Sequence, residues 1–366
     1  MTATVIPVEQ RDYSLVGADS RRAMELGLVS AEWYHSDVPR AVMKQLMQRS
    51  DGPALRDTAL WFALLFGCAW GGIHFWGTWA SVPFFIVYGV IYGSSCDSRW
   101  HECGHGTAFR TARMNEVIYQ IASFMVIRNP VTWRWSHARH HTDTYIVGRD
   151  AEIAWMRPPR TVRAVLAFFD VLGAFRSMKI LLRNAAGNLS PDEKDYIPAS
   201  EWPRTIFAAR VHMAIYAATI VTALALGSFL PLMLIGLPRI YGCWHMVLCG
   251  HLQHAGLADN VLDHRLNSRT VYMNPISRYI YWNMNYHVEH HMFPMVPYHA
   301  LPRLHALIKH DLPPPNTSIL DAYREVIASL RQQKIDPAYA HRKVLPTTAR
   351  PYRDEFHTLN VARTGR

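Results

Sequence analysis

The sequence predicts an all-α membrane protein: two transmembrane helical hairpins, making four crossings, capped by a cytoplasmic helical domain. Three observations predict it. Half of the 366 residues are apolar and 18% are charged, below the roughly 25% typical of soluble domains. Two long stretches are nearly free of charge. Lys and Arg gather in the connecting segments, away from the hairpin tips.

The elements follow in chain order. Residues 1–57 read as a cytoplasmic arm. The first seventeen hold Glu9, Arg11 and Asp12 and no apolar run, unlike a secretory signal. Residues 58–96 contain no charged side chain. As helix they would extend roughly 58 Å, and one crossing takes about 20 residues. The run therefore accommodates two crossings, 58–78 and 82–98. The turn falls at 77–83, and Pro83 suits the first turn of the second helix. Residues 117–127 form an uncharged segment about half a bilayer long, expected as an interfacial or re-entrant helix. Residues 161–183 are apolar on one face and carry Arg163, Asp170, Arg176, Lys179 and Arg183, the pattern of a helix lying along the surface.

The second hairpin occupies 205–227 and 229–250. Gly227, Ser228 and Phe229 divide it, and Arg239 is its one charge beyond Arg210. Neither tip, near Thr78 or Ser228, has a Lys or Arg. The loop 97–204 has fifteen and the arm before residue 58 has seven. The positive-inside rule places both on the cytoplasmic side of the inner membrane. The membrane domain is expected to run over 58–315. Pro313, Pro314 and Pro315 then mark a break before a cytoplasmic segment, 316–366, with a helix over 317–334 and a loose tail to which no chemistry is assigned.

Other classes fit less well. The five cysteines are odd in number and form no CxxC pair, so they read as reduced packing residues. The net charge of +10 is scattered among loops that also hold Asp and Glu. No basic stripe or nucleic-acid motif accompanies it, and no nucleic-acid partner is expected.

Chemistry is carried by histidine. Eight of the twenty fall into three clusters: His101 with His105; His137, His140 and His141; and His287, His290 and His291. Positions i, i+3 and i+4 of a helix share a face, so each cluster can aim two or three imidazoles at one point. The predicted topology returns all three clusters to one membrane face. Eight ligands exceed the needs of one ion, and imidazole suits iron, zinc, copper or nickel. A further ligand is expected at the end of the fourth crossing: His254 first, His251 in reserve. His245, deeper in the crossing, reads as a core histidine. Glu102, Asp143, Asp150 and Glu289 lie in or beside the clusters and are candidate partners for imidazole N–H groups.

On these residues, and on the run 285–302 around the third cluster, the chain resembles the membrane fatty acid desaturase and hydroxylase superfamily over roughly 55–315. Within it the chain is similar to bacterial hydrocarbon oxygenases of the rhizopine-catabolism type. The resemblance implies two iron ions held by the eight clustered histidines, with the family's extra ligand falling on His254. It also implies O2 as co-substrate and a fatty acyl or other hydrophobic substrate. Two departures are visible. The third cluster starts with His287 where front-end desaturases carry Gln. No His-Pro-Gly-Gly haem motif occurs, which implies a separate electron donor, a ferredoxin with its reductase.

Trp133, Trp135, Phe124, Tyr145, Trp282 and Tyr286 flank the clusters, either lining a substrate slot or belonging to the membrane interface. Arg128, Arg134 and Arg139 are candidates to dock an acidic donor. Two other classes compete. His101-Glu102-Cys103-Gly104-His105 also fits the His-Glu-x-x-His pattern of a zinc protease, with Glu102 as general base. A non-catalytic membrane metal-binding protein is the other. Within the oxygenase class, desaturation, hydroxylation and demethylation of a small methylated compound differ only in where the substrate carbon is placed.

Overall fold

The computed structural model describes residues 11–160, 162 and 166–353. The start of the expected arm, parts of the expected 161–183 helix and the last thirteen residues lie outside them. Among the described residues there is no strand. Two isolated bridges, Thr270 with Tyr286 and Val271 with Asn316, are the only β pairing.

The first hairpin is built from α1 (Asp51–His74) and α2 (Ser81–Gly93). Trp61, fully buried, donates from Nε1 to the Ile91 carbonyl at 2.8 Å and ties the two helices together. At Ser94 the chain kinks and continues as α3 (Ser95–Gly104), which carries the first cluster. Helix α4 (Ala112–Met125) packs on α3, and α5 (Pro130–Thr142) carries the second cluster. Asn129 starts α5 firmly. Its side chain accepts from the backbone N–H of Val131 and Thr132, and its amide donates to the Thr205 carbonyl. Pro130 at the first helical position has no N–H to leave unsatisfied.

Helix α6 (Val171–Ala185) occupies part of the expected surface helix, with Leu172, Phe175 and Leu182 exposed. It leans on α7 (Trp202–Leu226), which stops at Gly227 in the left-handed region. Residues 199–226 form the one stretch, among those described, that is long and apolar enough by itself to cross a membrane.

The fourth expected crossing is not one helix. Residues 229–250 break into α8 (Leu230–Leu234), α9 (Pro238–Tyr241) and the start of α10 (Trp244–His254). Pro231, Gly236, Pro238 and Gly242 interrupt the backbone ladder in turn. The breaks let this segment approach α2 closely. A Cβ on Gly242 would sit 1.8 Å from the Gly89 carbonyl oxygen, so only glycine fits there. Ser94 closes the junction, donating to the Gly242 carbonyl at 2.6 Å and accepting from the Met246 N–H at 3.0 Å. Tyr88 adds a bond to the Leu234 carbonyl.

Large apolar side chains face outward along the long helices. Phe66, Trp70, Ile86, Val221 and Leu224 are each at least 59% exposed, as is Trp79 in the turn of the first hairpin. Helix α11 (His287–Met292) carries the third cluster, and α12 (Leu301–Ile308) and α13 (Ile319–Ile335) follow it and close the fold.

The described part of the C-terminal tail is not loose. Arg265 donates to the Arg350 and Pro351 carbonyls, and Arg157 to those of Pro337, Ala338 and Tyr339. Glu325 on α13 gathers Arg269, Lys343 and His341 around its carboxylate. These cations were not spaced in sequence to announce a shared partner.

Candidate metal centre

Four segments bring nine histidines into two groups. The first holds His101, His105, His137, His141 and His290; the second holds His140, His254, His287 and His291. In each, the ligating atoms lie within 4.8 Å of one another. The helical period explains the division. On α5 the i, i+4 pair His137 and His141 serves the first group, while His140 turns to the second. On α11 the pair His287 and His291 serves the second group, and His290 crosses to the first. His101 on α3 and His105 just beyond it both serve the first. The His141 and His291 rings, 4.5 Å apart and nearly parallel, join the groups.

The Nε2 atoms converge. His101 and His290 are 2.7 Å apart, His137 is 3.1 Å from both His101 and His105, and His141 is 3.2 Å from His137 and from His290. In the second group His287 is 3.0 Å from both His254 and His291. A hydrogen-bond mesh does not account for this, because the protons sit on the other side of several rings. His254 Nδ1 lies 2.7 Å from the Asn267 carbonyl, which can only accept. His137 Nδ1 donates to Glu152 at 3.1 Å and His140 Nδ1 to Asp150 at 2.8 Å. Each of these rings therefore turns a bare Nε2 lone pair inward, toward the others. Metal–imidazole bonds of roughly 2.0–2.1 Å at right angles would space two nitrogens about 3.0 Å apart. The spacing, the donor type and the tautomers all fit two metal ions.

Electrostatics agree. Burial first, then the other imidazoles, hold His101, His105, His141, His287, His290 and His291 well below the ordinary histidine range, which keeps them neutral as metal binding requires. Burial acts the same way on His140, but the charge and hydrogen bond of Asp150 outweigh it and raise that ring.

The carboxylates divide. Asp150 and Glu152 each hold a clustered imidazole, and Asp150 also accepts the Tyr145 N–H. Glu152, which also takes the Ser136 hydroxyl, was not singled out in the sequence; its signal was the alternation with Asp150 just past the second cluster. Fully buried Glu102 accepts from Thr107 and from the Tyr298 N–H, and its Oε1 stands 3.7 Å from His290 Nδ1. Burial pushes its carboxyl up to about 8. Among the described residues, the carboxylates of Asp143 and Glu289 bond groups other than the clustered rings. Asp143 pairs with Arg149 at 3.2 Å, and Glu289 faces the other way, to Thr270 and His305. On a six-residue helix whose one face holds three inward histidines, position 289 falls on the opposite face.

Other expectations also sort by geometry. His251 packs edge-on against Trp155 and joins neither group. His245 bonds the Ser277 hydroxyl at 3.0 Å, a core role. Tyr145 stacks on His254 at 4.7 Å, and Trp100, overlooked in the sequence, packs on His101 and His137. Trp133 and Trp282 instead lie against Arg128 and Arg99, Phe124 stacks on Tyr216, and Tyr286 leans on His305. Arg128, Arg134 and Arg139 are already paired with Asp97, Glu116 and Asp195. A single zinc site on His101 and His105 would leave His137, His141 and His290 crowding it, with Glu102 bonded away to Thr107 and Tyr298.

A family model described as fatty acid desaturase matches residues 77–322. The chain is 21% identical over 288 residues to the sn-2 acyl-lipid omega-3 desaturase (ferredoxin), chloroplastic, of Arabidopsis thaliana, covering 73% of this chain and 63% of that protein. It is 23% identical over 221 residues to the protein of the same name from Helianthus annuus, covering 55% and 49%. The chain thus spans less than two thirds of the length of these curated relatives.

Proposed function

The chain belongs to the fatty acid desaturase family, and from that premise we propose that it is a membrane di-iron oxidoreductase that uses O2 and two electrons to desaturate or hydroxylate an aliphatic C–H bond. One observation carries the reading: five and four imidazoles, on four separate segments, converge at spacings suited to two ions. Bound there, iron would supply O2 activation and the removal of hydrogen from carbon.

The protein's own part is position and exclusion. Glu152, Asp150 and the Asn267 carbonyl fix three ring tautomers, so that the Nε2 lone pairs stay inward. Burial of both groups keeps bulk water from the reacting carbon. Seven of the nine rings are buried; only His105 and His141 are partly open, which makes the five-membered group the side from which a substrate would approach.

A fatty acyl or lipid-like substrate is the reading that the family and the relatives, whose names specify acyl-lipids, support. Oxygenation or demethylation of a small methylated compound is the narrower alternative. The relatives' names also motivate a ferredoxin as electron donor. The outward apolar side chains of α1, α2 and α7 support a bilayer around four crossings, the fourth made of broken helices. Loop charge supports a cytoplasmic face for the clusters, in an inner membrane. On this reading 58–315 is the membrane domain, between the N-terminal arm and the C-terminal segment.

Purified protein assayed for metal should hold two irons per chain. With ferredoxin, its reductase and O2, it should convert one member of a panel of acyl-lipid, acyl-thioester, free hydrocarbon and small methoxy compound. His140→Ala and His290→Ala should insert in the membrane and lose turnover. One zinc per chain, or O2-dependent turnover surviving in either variant, would overturn the proposal.

A further inference from the structure

A second site lies away from the histidines. A cavity of about 350 Å³ opens between α4, α5 and α7, within the size range of small-ligand pockets. Its lining includes two partly exposed ion pairs, Arg134 with Glu116 and Arg204 with Glu201. Its wall is apolar, with Val131, Phe207, Ala208 and Val211. Gln120 and His212 are also polar: Gln120 donates its amide to Glu116, and His212, only 5% exposed, has an Nδ1 with no hydrogen-bond partner among the described residues. A buried ring nitrogen without a partner is unfavourable, so a ligand that supplies one is favoured.

We infer that this cavity binds a zwitterionic glycerophospholipid, with its head group among the four rim charges and an ester group at His212. The rim offers two cations and two anions, which complement a phosphate and an ammonium together better than either alone. Its pairs are substantially exposed, with Arg204 at 73% and Glu116 at 49%, and exposed pairs hold each other weakly enough to exchange for a ligand's charges. Along α7, Arg204 and His212 are separated by eight residues, a rise of about 12 Å. That matches the reach from a charged head group down to the ester region. The rim stands at the start of the apolar helix α7, the depth at which head groups meet hydrocarbon. This rests on the membrane reading above, but not on the metal.

The test is lipid retention. The full chain, purified in detergent, is titrated with phosphatidylethanolamine or phosphatidylglycerol and examined by native mass spectrometry, with iron measured on the same samples. Wild type should retain one phosphatidylethanolamine and hold it at least tenfold tighter than phosphatidylglycerol. Ala208→Trp, which fills the cavity, should retain none, and His212→Leu should bind at least tenfold more weakly. Both variants should carry as much iron as wild type, which shows they are folded. Equal retention by wild type and the two variants, equal affinity for the two lipids, or no lipid on wild type would each overturn the inference. Retention without any iron would leave this site standing and defeat the metal reading alone.

Discussion

Glu152 Oε2 accepts from His137 Nδ1 at 3.1 Å. Two residues earlier Asp150 makes the matching bond to His140, which belongs to the other group of imidazoles. A single short stretch of chain therefore steadies one ligand of each group. Glu152→Ala should weaken metal retention at the five-histidine group and Asp150→Ala at the four-histidine group, each by roughly 10–100-fold. Iron content after dialysis against a graded chelator series reads the loss, and Mössbauer spectra of the half-loaded protein show which ion has gone. Identical spectra from the two variants would contradict the assignment.

His254 and His251 differ by less than one helical turn yet face different surroundings. His254→Ala should cost iron and turnover together. His251→Ala should leave iron unchanged and only loosen the contact with Trp155. Metal analysis of both purified variants decides, and iron loss confined to the His251 variant would reverse their roles.

The crossing of α2 over the broken fourth segment depends on having no side chain at Gly242. Gly242→Ala must push the two backbones apart, an overpacking cost of about 1–3 kcal/mol. The expected result is a lower thermal midpoint in detergent. An unchanged midpoint would mean that the junction yields freely.

Glu325 is the anchor of the C-terminal segment. Burial acts to raise its carboxyl, but His341, Arg269 and Lys343 outweigh it and hold it well below the ordinary carboxylate range. The sign follows: the stabilisation is complete above the ordinary carboxylate pKa and is lost as pH falls toward the lower folded value. Glu325→Gln leaves Arg269 buried without its charge partner and should destabilise by roughly 3 kcal/mol. It should also flatten the acid limb of the stability curve below about pH 5. A variant with an unaltered acid limb would assign that limb to other carboxylates.

The clustered histidines were legible because helical spacing alone tells which rings can point together. His254 was legible as first choice and His251 as second, since one turn of sequence holds both. Their separation depends on which ring meets Tyr145 and His287, a tertiary fact. Asp143 and Glu289 show the limit of proximity in sequence. Both sit beside ligands, and both are turned away by the helical rotation that turns the ligands inward. Glu152 lies eleven residues beyond His141, and only the turn after α5 brings it back. The hairpins followed from missing charge, but hydropathy carries no information on breaks. The proline and glycine pairs in 231–242 held that information and were outweighed by the apolar run.

Because α5 and α11 each send histidines to both groups, neither helix can rotate to suit one ion without disturbing the other. A turn of one residue, about 100°, would withdraw ligands from both at once. Occupation of the first position would thus pre-set the angle that the second requires. Each ion should therefore be held more tightly once the other is in place, a difference that stepwise iron titration would read.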